Sequence, residues 1–168
     1  GSGWAFLTAT YDGTTMKFYV NGVQKGGNLN ASAHKNTTEP MRIGAGTTEV
    51  TPPDYYFNGK IDEVAIWNEA LTSSEITALY NSGVPLAASS NSGDYTSSAN
   101  IQGYWRFNEN SGSTTYDLSG NGNNGTLTNG PSYSTPGADA LAPTVSSVTS
   151  TTSNGSYNAG DVIAITIA

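Results

Sequence analysis

The sequence predicts an all-β protein, an antiparallel β-sandwich with one short helix, and three observations carry this prediction. Only 11% of the 168 residues are charged, while Gly, Asn, Ser and Thr are frequent. Ser, Thr and Asn compete with helical backbone hydrogen bonds and Gly adds chain entropy, so this composition disfavours long helices. Several short segments alternate with the two-residue period of a strand, and clusters of turn residues separate them.

The first strands are predicted between residues 4 and 24. The segment WAFLTATY, residues 4–11, has the strand period, and Asp-Gly at 12–13 marks a turn. In MKFYV, residues 16–20, we expect Phe18 and its alternate positions to face the core. Asn-Gly at 21–22 predicts a tight hairpin turn, because both residue types tolerate positive φ.

The clearest strand pattern is GKIDEVAIW, residues 59–67, and a short helix follows it. Thr72 and Glu75 have the spacing of a capping box, in which each side chain satisfies a free backbone N–H group. Gly83 is expected to end the helix by adopting a left-handed conformation.

Composition predicts the domain organisation. Residues 1–133 read as one partial sandwich domain, in which 84–100 are an exposed, linker-like loop rich in Ser, Asn and Gly. The Pro- and Gly-bearing segment 134–143 is expected to be a linker. Residues 144–168 alternate again, so we expect the truncated start of a second β-domain.

Net charge, cysteine content and the length of apolar runs exclude several classes of function. A net charge of −7 argues against nucleic-acid binding, which needs a basic surface. The absence of cysteine excludes disulfides and thiolate metal sites. No apolar run of about 18 residues occurs, so we expect no membrane insertion. The acidity suits either cations such as Ca²⁺ or simple solubility.

Three segments resemble the laminin-G-like jelly-roll domains of the concanavalin A-like lectin/glucanase superfamily. They are ATYDGTTMKFYVNGVQ at 9–24, FNGKIDEVAIWNEALTSSEITALYNSG at 57–83, and GYWRFNENSGSTTYDLSGNGNNGTLTNG at 103–130. The second is the most specific, since a GKIDEV strand leading to a capped helix is characteristic of the group. The resemblance implies a jelly-roll sandwich, of which the N-terminal half is missing. The segment SNGSYNAGDVIAITI, 153–167, resembles the opening of the immunoglobulin-like or cadherin-like repeats of bacterial adhesins.

The order of these segments is unusual, because a GYWRFNE-type segment normally opens such a domain. Either residues 1–83 end one domain and 103–130 begin another, or the domain is circularly permuted. We favour permutation, because the chain between 130 and the linker is too short for the rest of a second jelly roll. We therefore expect 103–130 to pack against 4–83.

A turn with the sequence DLSGNGN, residues 117–123, is a candidate calcium site. Its oxygen-bearing side chains occupy alternate positions, as Ca²⁺ ligands do in the first half of an EF-hand loop. The twelfth position is Thr128 rather than Glu, so this is not an EF-hand. The expected ligands are Asp117, Ser119, Asn121 and Asn123.

The resemblance supports this site, since the corresponding turn holds Ca²⁺ in some members of the family. It also pairs the IDEV strand with this region, so Asp62 or Glu63 is expected to supply a second carboxylate. The alternative is that Asp117 caps a turn through its own backbone, with Asn and Gly present for positive φ.

Binding through aromatic side chains is expected at Tyr55 and Tyr56, which lie in a Pro-bearing loop rather than in a strand. Catalysis is not expected. Glucanases of this fold carry Glu-x-Asp-x-x-Glu on one strand, whereas here Asp62 and Glu63 are adjacent and a strand points them to opposite faces. His34 is the only histidine and has no nucleophile motif around it.

The sequence therefore predicts a non-catalytic module of a secreted bacterial modular protein, located outside the cell or on its surface. Its expected partner is a glycan or a cell-surface protein. The alternatives are a ligand-free structural spacer in an adhesin stalk and an accessory module of a glycoside hydrolase. Fold alone does not choose among them.

Overall fold

A computed structural model describes residues 3–31, 40–46, 55–138, 148–150 and 165–167. The described residues form antiparallel sheets and one short α-helix, which confirms the predicted all-β class. His34 lies outside them.

Eleven strands and one α-helix are found in this part of the chain. Their bounds are β1 Leu7–Tyr11, β2 Thr15–Val20, β3 Val23–Asn30, β4 Ala45–Gly46, β5 Tyr55–Tyr56, β6 Val64–Trp67, α1 Ser73–Tyr80, β7 Ile101–Trp105, β8 Thr114–Thr115, β9 Gly125–Thr126, β10 Val148–Ser150 and β11 Ile165–Ile167. Single-turn 3₁₀ helices cover Asn81–Gly83 and Ser98–Asn100.

Strands β1, β2 and β3 form an antiparallel meander in that order. The predicted tight turn between β2 and β3 is confirmed, because Asn21 and Gly22 both have positive φ, 52° and 77°. This turn packs on the helix, where the Thr77 hydroxyl donates to the Gly22 carbonyl at 3.3 Å. The helix therefore covers one end of the meander.

Strand β2 buries the opposite face from the one that we expected. Tyr19 is 4% exposed and belongs to the core, whereas Phe18 is 44% exposed. Cross-strand pairing puts Phe18 beside Ala9 and Leu7 beside Val20, so this outer face is apolar across the sheet. Apolar sheet faces are normally covered by another layer.

Helix α1 begins with the predicted capping box. The Glu75 N–H donates to the Thr72 hydroxyl at 3.2 Å, and the Thr72 N–H donates to the Glu75 carboxylate at 3.0 Å. The helix ends at Tyr80, before the predicted Gly83, because Asn81 already adopts left-handed dihedrals. Ile76 and Leu79 are buried in the core, together with Tyr19.

Residues 84–100 differ from the exposed loop that we expected. They are irregular, but Tyr95 is fully buried and Ala88 is 4% exposed. The Tyr95 hydroxyl donates to the Ala88 carbonyl and accepts a hydrogen bond from the indole of Trp67. Ser97 donates to the carboxylate of Glu75. The segment is thus part of the core around α1.

Strand β7 pairs antiparallel with β6, with Val64 opposite Trp105 and Ala65 opposite Tyr104. This pairing joins the third resembling segment to the second, as the permuted order requires, although the domain boundaries stay a prediction. The predicted strand 59–67 is shorter than expected, because Glu63 has a φ of +52° and extended pairing starts only at Val64.

In the C-terminal region, β10 and β11 pair antiparallel. Whether they belong to an adhesin-like repeat stays a prediction. None of the helices in the described ranges combines the length and apolar character needed to cross a bilayer.

Candidate functional site

Aromatic side chains at three consecutive positions form the most exposed aromatic surface of the described chain. Tyr55, Tyr56 and Phe57 are 59%, 56% and 61% exposed. Strand β5 pairs with β4, and the Phe57 N–H extends that pairing by donating to the Gly44 carbonyl at 2.9 Å. Since side chains alternate along a strand, Tyr55 and Phe57 share one side and Tyr56 takes the other.

Local contacts hold two of these rings in place. A Cβ atom at Gly59 would lie 2.7 Å from the Phe57 ring, so glycine is required there for the ring to lie over the backbone. The amide of Asn129 donates to the Tyr56 hydroxyl at 3.4 Å. These three residues, the aromatic strip, therefore offer the fixed Phe57 ring on one side and the Tyr56 ring with the neighbouring Asn129 amide on the other.

The 117–123 turn is held by the carboxylate of Asp117. Its two oxygens accept the backbone N–H groups of Tyr104, Ser119 and Asn123, each at 2.9 Å. Partial burial opposes ionisation, but these hydrogen bonds outweigh it and lower the pKa of Asp117 to about 2. Asp117 thus caps the turn and ties it to β7.

The amides of Asn121 and Asn123 point at β7. Both donate to the Gln102 carbonyl, at 3.2 Å and 2.9 Å, and the Ser119 hydroxyl donates to the same carbonyl at 3.3 Å. The turn therefore brings together all four expected calcium ligands, with much of their hydrogen-bonding capacity directed at the protein backbone.

Asp62 and Glu63, from which a second carboxylate was expected, have hydrogen-bond partners outside this turn. Asp62 accepts hydrogen bonds from the N–H groups of Glu63 and Ala138. Glu63 lies at the far end of the Tyr104 side chain, whose backbone N–H binds Asp117 and whose hydroxyl donates to Glu63. Within the described ranges, no three Asp, Glu, His or Cys side chains group closely enough to hold a metal ion.

Calcium at this turn stays a prediction, and one experiment separates it from the cap. We expect Asp117→Ala to lower the free energy of unfolding by about 1–3 kcal/mol even in chelator, because backbone donors lose their acceptor. If Ca²⁺ also binds, several millimolar should raise the Tm of the parent chain and leave that of the variant unchanged. A calcium-independent melt with the destabilisation intact would assign Asp117 to the turn alone.

Glu63 forms a buried ionic network with β7. Its side chain is 7% exposed, and it accepts the Nε–H of Arg106 at 2.8 Å. Burial, partly offset by the hydrogen bonds from Tyr104 and Arg106, raises the pKa of Glu63. Burial and the adjacent Glu63 carboxylate raise the pKa of the Tyr104 hydroxyl well above its ordinary range. This Tyr therefore stays a protonated donor.

Sequence reasoning missed Phe57, Asn129 and Arg106. The signal for Phe57 was present, since it shares a strand face with Tyr55. Asn129 is 73 residues from Tyr56 and Arg106 is 43 from Glu63, and no local pattern indicates such contacts.

Comparison with known proteins gives one match. Residues 2–77, a little under half of the chain, match a family model described as the concanavalin A-like lectin/glucanases superfamily. No curated protein and no solved structure matches the chain. The matched segment runs from β1 through the capping box of α1 and includes Tyr55, Tyr56 and Phe57. In this part, the chain is similar to the concanavalin A-like lectin/glucanases superfamily.

Proposed function

We propose that the chain is a non-catalytic glycan-binding module and that the aromatic strip is its contact region, with Tyr55 and Phe57 facing one side and Tyr56 facing the other. The observation that carries the proposal is the exposure of all three rings by more than half. Large aromatic side chains are costly to leave in water and supply much of the energy of binding surfaces. The apolar C–H face of a sugar ring matches an exposed aromatic ring, and an amide such as Asn129 can hydrogen bond to its hydroxyls.

The non-catalytic part rests on the two acidic residues that sequence reasoning considered for hydrolysis. Glycosidases need one carboxylic acid and one carboxylate facing a substrate. Here Asp62 accepts backbone N–H groups and Glu63 binds Arg106 and Tyr104. Both carboxylates are therefore engaged by the protein itself.

A secreted, cell-surface setting is part of the proposal, supported by the similarity to a superfamily that includes lectins. A cell-surface protein is the alternative partner. A structural spacer in an adhesin stalk, or an accessory module of a glycoside hydrolase, would use the same fold without this surface.

A glycan array with matched variants tests the proposal. We expect the parent chain to bind a subset of glycans. Tyr55→Ala and Phe57→Ala should each weaken that binding by about tenfold, which corresponds to about 1.4 kcal/mol. The control is Phe18→Ala, which removes an exposed aromatic ring from the β1–β3 sheet.

Binding that falls equally in Phe18→Ala would show that the aromatic strip is not the site. A parent chain that binds no glycan on the array would contradict the glycan proposal and favour the spacer. All variants must first show the parent's circular dichroism spectrum and Tm.

A further inference from the structure

A concave surface lies beside the end of β7. This cleft has a volume of about 240 Å³ and is lined by Arg106, Asn108, Glu109, Tyr116 and Leu118. It contains none of the strip residues. Its size is below the range typical of drug-sized ligands and suits a small one.

The side chain of Arg106, which lines the cleft, is held by a buried carboxylate. Arg106 donates through Nε to Glu63, whose other oxygen accepts the hydroxyl of the fully buried Tyr104. Burying a carboxylate costs free energy unless it is paired and hydrogen-bonded. Burial of Glu63 therefore costs free energy of folding, and the ion pair holds the guanidinium of Arg106, which is 34% exposed, in one orientation at the surface.

Backbone strain marks the same place. Glu63, which immediately precedes β6, and Phe107, which follows Arg106, have φ values of +52° and +55°. Side chains other than glycine rarely adopt this region, and such residues cluster at binding sites.

The apolar part of the lining is exposed, and its backbone is hydrogen-bonded. Tyr116 and Leu118 are 55% and 49% exposed. The Tyr116 N–H donates to Glu109 at 2.8 Å, and the Leu118 N–H donates to the Tyr104 carbonyl at 2.8 Å. Arg106, Tyr116 and Leu118 are thus each held by a hydrogen bond within the protein, so little ordering remains to be done when a ligand binds.

We infer that this cleft binds a single neutral sugar ring, as a second site that shares no residue with the aromatic strip. Tyr116 and Leu118 offer an apolar wall for the C–H face of the ring, and Arg106 and Asn108 offer polar groups for its hydroxyls. Two carboxylates, Glu63 and Glu109, accompany one guanidinium, so the local charge disfavours an acidic sugar. The ligand class rests on the proposed function, whereas the residues are independent of the strip.

Nuclear magnetic resonance titration tests this site directly. The chain has two arginines, Arg42 and Arg106, so the Nε–H signal of Arg106 can be assigned with Arg42→Lys. The probes are the methyl glycosides of glucose, galactose and mannose, with glucuronate as the acidic comparison. We expect at least one neutral glycoside to shift the Arg106 Nε–H and Tyr116 amide signals saturably.

Variants of Tyr116 and Tyr55 distinguish binding in the cleft from binding at the aromatic strip. Tyr116→Ala should weaken this binding at least tenfold, Tyr116→Phe should retain it, and Tyr55→Ala should leave it unchanged. Tighter binding of glucuronate than of every neutral glycoside would overturn the ligand class. No saturable shift at Arg106 with any probe, or equal binding by Tyr116→Ala, would overturn the site. Loss of glycan-array binding in Tyr55→Ala with these shifts intact would leave both sites standing separately.

Discussion

Replacing Trp105 with alanine is expected to lower the free energy of unfolding by about 3–5 kcal/mol, the usual range for deleting a buried aromatic side chain. Trp105 is 5% exposed, and its indole N–H donates to the Asn123 carbonyl at 2.8 Å. The substitution therefore removes a core ring and one of the bonds that tie the 117–123 turn to β7. Chemical denaturation measures the loss.

Two further variants check the cause. A Cβ atom at Gly103 would overlap the Trp105 indole, so Gly103→Ala should destabilise the chain by displacing the same ring. The free energy of unfolding of Trp105→Phe should lie between those of the parent and Trp105→Ala, because phenylalanine keeps most of the apolar area but loses the indole N–H donor. A loss below about 1 kcal/mol for Trp105→Ala would show that this ring is not part of the core.

Replacing Arg106 with methionine is expected to cost about 2–4 kcal/mol at neutral pH, because Glu63 is left as a buried carboxylate without its cation. The lower part of this range reflects the partial exposure of Arg106. The double variant Glu63→Gln, Arg106→Met should regain most of the loss, since it removes the buried charge as well. Thermal and urea melts of the three chains measure this coupling.

The pH dependence gives an independent check. The folded pKa of Glu63 lies above its ordinary value of 4.5, so the folded state binds more protons there than the unfolded state. The contribution of Glu63 protonation to the free energy of unfolding is therefore fully present below pH 4.5 and is lost as the pH rises through the folded pKa. Arg106→Met should raise the folded pKa further and so widen the pH range over which stability is lost. Glu63→Gln should abolish this pH dependence. An Arg106→Met deficit that stays constant from pH 5 to 8 would contradict the assignment.

Local signals were enough to predict some elements. The capping box at Thr72 and Glu75, and the turn at Asn21 and Gly22, are set by short-range hydrogen bonds and by positive φ. Both elements can therefore be predicted from the local sequence without knowledge of the rest of the fold.

Which face of a strand is buried depends on a partner distant in sequence. Strand β2 has apolar residues on both faces, and packing against α1 selects Tyr19 over Phe18. For the same reason, the polar segment 84–100 was expected to be exposed, although Tyr95 fills the space beside Trp67.

The candidate sites divide in the same way. Tyr55 and Tyr56 could be predicted as surface aromatics from their Pro-bearing segment, but the expectation that they lie in a loop was wrong, because pairing with the distant β4 makes them strand β5. The role of Glu63 could not, because pairing of β6 with β7 turns the carboxylate toward Arg106 rather than toward the 117–123 turn.

The most direct test of the account incubates the intact chain with a glycan selected from the array and follows both binding and the integrity of the sugar. Calorimetry measures the affinity, and mass spectrometry of the recovered glycan measures cleavage. We expect saturable binding that Phe57→Ala weakens about tenfold, and a glycan recovered without change in mass. Cleavage that persists after repurification, or binding that is the same in Phe57→Ala as in the parent chain, would contradict it.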